Sequence, residues 1–329
     1  MSMENYQNDF KDFTSLTGFP KNQILDIEFH PLENVLIDFF NYCKTTILRY
    51  SKKFDLNQTY FLYHESRNRN AAAKGYHTCN VIFITNGLFT DLYSRIYLSN
   101  IDFDKISFSQ FQNLNQNTKD ALGLLMFQSG MIFTFHHEFA HLVQRKDGNF
   151  EMNEYSNEEK PFNQYNHILE YDSDLNGCNF VLGLIDQYIE DHSNLFKTRE
   201  DRLNLHWLAL SSMIITMLLF LNNFEDSKAN RNLYIKEKLH PHASVRISYI
   251  MEHYLFNMNV YGMQVTTQDG LNNCFRFCND FFENKEIFKH YFEQLSDNLD
   301  TINEYCTELF DLATETPNLV RHQLEKFNL

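Results

Sequence analysis

The chain has 329 residues, 43% of them hydrophobic and 22% charged, which are globular values with enough length to bury a real core. A net charge of −15 steers it poorly toward phosphate backbones or anionic lipid, which excludes nucleic acid as a main partner and leaves proteins or peptides. Six cysteines without a CxxC pair, and a start (MSMENYQNDFKDF) with no basic and apolar leader, predict free thiols in a reducing cytoplasm.

Residues 1–55 predict a polar start and then a helix, with Leu32, Val35, Leu36, Phe39 and Phe40 at helical spacing. Thr59–His64 (TYFLYH) and Cys79–Thr85 (CNVIFIT) are rich in β-branched and aromatic residues and predict strands. NGL then reads as a turn opening a helix that carries Leu88, Phe89, Leu92 and Ile96 on one face. A long helix is predicted from Thr118 to about Arg145, a polar loop over 147–163, and a second helix from about Asn166 to Ile189. Trp207–Leu221 is apolar but spans only about 22 Å as a helix, against roughly 30 Å of hydrocarbon. It reads as a buried core helix, with a membrane helix as the alternative. A further helix is predicted to begin at Pro241, since proline suits a first helical turn. From about Asn257 the chain turns acidic, aromatic and helical. Residues 257–329 therefore read as a helical extension that could pack on the core, gate it, or bind a regulatory protein partner.

The long helix carries FTFHHEFAHLVQ, Phe133–Gln144. Residues i and i+4 share a helix face, so His137 and His141 can both reach one zinc ion, and Glu138 sits beside it, placed to take a proton from bound water. His136 has Ala140 at i+4 and cannot supply a second helical ligand. HExxH alone is a loose pattern, and two surface histidines on a helix are the alternative. A catalytic zinc needs a third protein ligand and an open fourth position. Glu170, in HILEYDSDLNG on the second helix, is placed to be that ligand. Asp174, four residues on, would then accept a hydrogen bond from the far nitrogen of a ligand histidine. An acidic first helical turn is the alternative, and Asp172, on another face, reads as solvated. In LHPHASVRISYI, Leu239–Ile250, His240 stands at the expected N-cap, and His242 and Arg246 are i and i+4. Either histidine could serve an oxyanion, and Arg246 could clamp the carboxylates. The alternative is a capped helix with a surface arginine.

The order of these stretches resembles the HtpX and CAAX-prenyl-endopeptidase type of gluzincin metallopeptidase. NAAA (Asn70–Ala73), VIFITNGL (Val81–Leu88), HEFAH, EYDSD and HPHASVR match that family's motifs in sequence, over about residues 65–250. Ala140 and Ser173 stand where the family usually has Gly and Ala, and KGYHTCN replaces its Gly-rich turn. The resemblance implies one Zn2+ per chain held by His137, His141 and Glu170, with Glu138 as general base. It implies that His240 and Arg246 lie near the oxyanion side. It also implies that Asn70, Ala71 and an edge strand of Val81, Ile82, Phe83, Ile84 and Thr85 pair with extended substrate.

These readings converge on a mostly helical α+β fold, with a small sheet beside the HExxH helix in a metallopeptidase domain over 1–256 and the extension over 257–329. The expected function is a zinc endopeptidase of the cytoplasm, acting on a protein or peptide. A catalytically latent zinc-binding regulatory protein and a membrane-associated peptidase are the alternatives.

Overall fold

A computed structural model describes residues 3–98, 115–146, 150–153, 161–221, 232–282 and 286–325. The fold is α+β and mostly helical, with one small sheet. The described residues divide into two compact units, each discontinuous in sequence.

The first unit comprises residues 1–91, 135–156 and 317–329. Its sheet holds β1 (Gln58–His64), β2 (Ala71–Gly75), β3 (Cys79–Thr85) and β4 (Phe150–Asn153) in the order β1-β3-β2-β4. β1 runs parallel to β3, while β2 lies antiparallel to both β3 and β4. Helices α1 (Met3–Thr17) and α2 (Glu33–Phe54) pack on β1. The abundant aromatic residues build this core: Tyr6, Phe13, Phe40, Phe61 and Tyr63 are fully buried, with edge-to-face contacts at Tyr6–Phe40, Phe13–Tyr60 and Phe61–Tyr63. A helix α3 (Asn86–Leu92) starts straight from β3, with Leu88 N–H accepted by Thr85 Oγ1, and runs into a π-helical stretch at Tyr93–Leu98.

The sheet order corrects the edge-strand expectation. β3 is paired on both sides and all seven of its residues are buried, so Val81, Ile82, Phe83, Ile84 and Thr85 have no backbone edge to offer a substrate. Asn70 and Ala71 are likewise built into the sheet. Thr85 N–H and Oγ1 both donate to Asn70 O, and Ala71 pairs with Ile84. The NAAA stretch is an inner strand, formed by small residues of low β-propensity because its neighbours cover both sides. Along β1, Leu25 N–H donates to Tyr63 O. Three elements were missed: α1, whose polar stretch buries Tyr6 and Phe13, β2, and β4, which falls inside the expected loop 147–163.

The second unit comprises residues 92–134 and 157–316. The division falls inside α4 (Gln116–Gln144), whose Phe135–Gln144 end belongs to the first unit. Here α5 (Gln164–Asp191) packs against both α6 (Arg199–Thr216) and α7 (Ala243–Val260). Short helical turns fill Thr267–Phe281, followed by α8 (Glu286–Asp297) and α9 (Leu299–Glu315). α9 packs on α5 and α7, so residues 257–316 belong to this unit and not to a separate extension. α6 begins eight residues before the apolar run, at a capping box closed by Thr198 and Asp201. Among the described residues one helix, Arg199–Leu219, is long and apolar enough to cross a membrane, and 89% of that window is buried within the protein. α7 starts at Ala243, not at Pro241: His242 is its N-cap, its ring accepting from Ser244 N–H, so His240 lies two residues outside the helix.

Candidate metal centre

α4 is buried all round from Ser129 to Gln144, as a helix passing through a core must be. Its last turns carry His137, Glu138 and His141, each only 1% exposed, which removes the reading of two surface histidines. His137 Nε2 and His141 Nε2 lie 3.1 Å apart with their rings nearly perpendicular. His141 Nδ1 donates to Gln144 Oε1 at 2.9 Å, which leaves Nε2 its lone pair. His136 is turned away from this pair: its Nε2 meets the Tyr42 hydroxyl at 2.8 Å, and burial alone pulls its pKa well below the ordinary value.

On α5, residues 167–178 are all buried, carboxylates included. Glu170 is therefore no member of a solvated first turn. Asp172, expected in solvent, is also buried. One ligand atom from each of His137, His141 and Glu170 lies within 4.8 Å of the others, so this buried group could hold a metal ion. Two nitrogens on a tetrahedral zinc would sit about 3.3 Å apart, close to the 3.1 Å between the two Nε2 atoms. Two neutral imidazoles and one carboxylate also suit zinc's borderline preference. The donor set fits.

The charge of Glu170 is answered from α7 and the stretch before it. His240 Nδ1 approaches Glu170 Oε1 at 3.2 Å, and Arg246 Nη2 approaches Oε2 at 3.4 Å. Arg246 is buried, against the surface reading. It binds Asp174 bidentately, through Nε and Nη2 at 2.8 Å each, and Asp174 also accepts from the Tyr249 hydroxyl at 2.5 Å. Such a fork is the strong form of a charge-assisted hydrogen bond. Asp174 thus engages the arginine beside Glu170, and the hydrogen bond expected of it, from a ligand-histidine nitrogen, is supplied for His141 by Gln144. Burial, then the Asp174 charge, pushes the Tyr249 hydroxyl far above its usual range. His242 Nδ1 is occupied by the helix cap, and its ring sits between Tyr234 and Tyr291.

Gln144 and Tyr249 were missed. Each carried a sequence signal, standing at i+3 from His141 and from Arg246 respectively.

Residues 104–266 match the family model described as Peptidase U49. The match takes in just under half of the chain, from before α4 to past the end of α7, and with it every residue of this centre. It supports a proteolytic enzyme. No curated protein and no solved structure matches the chain.

Proposed function

We propose that the chain is a zinc-dependent endopeptidase of the gluzincin type, acting on a protein or peptide in the cytoplasm. The observation that carries this reading is the buried group of His137, His141 and Glu170, with ligand atoms within 4.8 Å of one another, inside the stretch that matches a peptidase family. Zinc held there, one ion per chain, would polarise a scissile carbonyl and make its water acidic enough to ionise near neutral pH. Glu138 adjoins the first ligand on α4, where its carboxylate would serve as general base, accepting a proton from the attacking water and passing it to the leaving amine. His240, beside Glu170 and outside the helix cap, is the donor for the developing oxyanion, a role typically worth about 3 kcal/mol. Arg246 compensates Glu170 and Asp174 together, since two buried carboxylates without a cation would be strongly disfavoured. Pairing with extended substrate requires a strand at the end of a sheet, and the sheet order, with β4 at an end among the described residues, favours β4 over β3 for that role. The cytoplasmic assignment is supported by six buried cysteines with no disulfide among them.

The test is metal content and turnover together. Purified protein should carry about one zinc per chain, lost in His141→Ala and in Glu170→Ala. Glu138→Gln should keep the zinc and the fold but cleave labelled casein about 10²- to 10⁴-fold more slowly. Full zinc occupancy in Glu170→Ala would remove the third ligand, and wild-type cleavage by Glu138→Gln would remove the base.

A further inference from the structure

Residues 232–242 form neither a helix nor a strand, beyond a single bridge from Lys238 to Pro161, yet this stretch brings His240 to Glu170. Irregular backbone keeps one geometry only when groups outside it hold it. The holding groups sit on either side of His240. Two residues before it, the Lys238 carbonyl meets His167 Nε2 at 2.9 Å. A carbonyl can only accept, so Nε2 carries the proton, and in a neutral ring Nδ1 then accepts from the Tyr305 hydroxyl, 2.8 Å away. Further back, Lys236 Nζ donates to both carboxylate oxygens of Glu308 and lies over the Tyr305 ring, 5.2 Å from its centroid. Two residues after His240, the His242 ring caps α7 and stacks on Tyr291. Tyr291 is on α8, and Tyr305 and Glu308 are one turn apart on α9. Helices beyond the family match thus grip the stretch on both sides of His240.

We propose that His167 and Tyr305 are positioning residues for His240, forming a relay from α9 through α5 that sets where the His240 ring meets Glu170. On this assignment the C-terminal helices are a working part of the site. The expected effect on turnover rests on the peptidase reading above. The placement of the ring does not, and it can be read separately.

Tyr305→Phe removes one hydroxyl and keeps the ring. In zinc-loaded protein labelled with ¹⁵N-histidine, the His240 and His167 signals are assigned by their loss in His240→Ala and His167→Gln. Tyr305→Phe should shift both sets and leave His136 and His206 in place. Cleavage of labelled casein should slow roughly fivefold in kcat, the worth of one buried neutral hydrogen bond, with KM and zinc content unchanged. In a His240→Ala background the same substitution should cause no further loss, because the relay acts only through that ring. Glu308→Gln, which weakens an exposed pair and leaves the core intact, should move the His240 signals in the same sense by less. His240 signals unmoved by both variants, or an equal loss of turnover with and without His240, would overturn the assignment. Casein left intact by the wild-type protein counts against the peptidase reading, while the ring signals still decide the positioning.

Discussion

At the scale of single residues, the amide of Gln144 decides which nitrogen of His141 is left free to bind a metal ion. Accepting from Nδ1–H at 2.9 Å, it fixes the tautomer whose free lone pair is on Nε2, beside His137 Nε2. Removing such an outer partner of a metal-bound histidine typically lowers metal affinity about 10- to 100-fold. Gln144→Leu should therefore bind zinc that much more weakly in competition with a chelator, and Gln144→Glu, which keeps an acceptor oxygen, should not. Unchanged affinity in Gln144→Leu would mean that packing alone orients the ring. The residue-scale signals in the sequence were uneven. HExxH stood out because its ligands are four apart on one helix. Tyr305 left no signal toward His167, since 138 residues separate the two members of that hydrogen bond.

Among the elements, the approach of α5 to α4 turns on Gly177. A Cβ at this position would lie 2.8 Å from the Phe133 carbonyl oxygen and 2.9 Å from the Phe133 ring. The first atom is helix backbone and cannot swing aside. Gly177→Ala gains up to about 1 kcal/mol of helix propensity, but overpacking a tight core typically costs about 1–3 kcal/mol. The expected net effect is a loss of stability, measured by chemical denaturation. A stabilised variant would show that the two helices separate at little cost. Strand positions were less legible than helix positions. Cys79–Thr85 reads as a strand from its composition, but whether a strand is inner or edge depends on which chains lie beside it. Here both sides are taken, by β1 and β2. In β2 the alanines and glycine carry too little β-propensity to announce a strand at all.

The molecule as a whole should lose stability in mild acid. Burial holds His206 and His242 down to about 4 in the folded chain, against 6.5 for the unfolded one. Between pH 6.5 and 4 the unfolded chain binds protons that the folded chain refuses, so stability is full above this window and falls as pH drops through it. Each unit of depression is worth about 1.4 kcal/mol, which makes the loss from these two groups several kcal/mol. Asp186 and Glu252, raised by burial, act in the opposite sense at the acid end of the window. Melting temperatures at pH 7, 6 and 5 should therefore fall. His242→Ser, which keeps a side chain suited to the cap but cannot titrate, should flatten the fall. An equal slope in that variant would remove His242 from the account.

Local pattern alone determined the helix that carries HExxH, the second helix with Glu170, the apolar run of α6, two strands and the acidic, globular character of the chain. These follow from spacing along a helix or strand, which neighbouring residues settle among themselves. Tertiary structure decided the rest. It buried Asp172 and Arg246, gave the cap of α7 to His242 and left His240 to Glu170. It closed both sides of β3, and it packed α9, which had read as part of an extension, on α5 and α7. Each of these depends on what packs against a residue from a distant part of the chain. No local period encodes that.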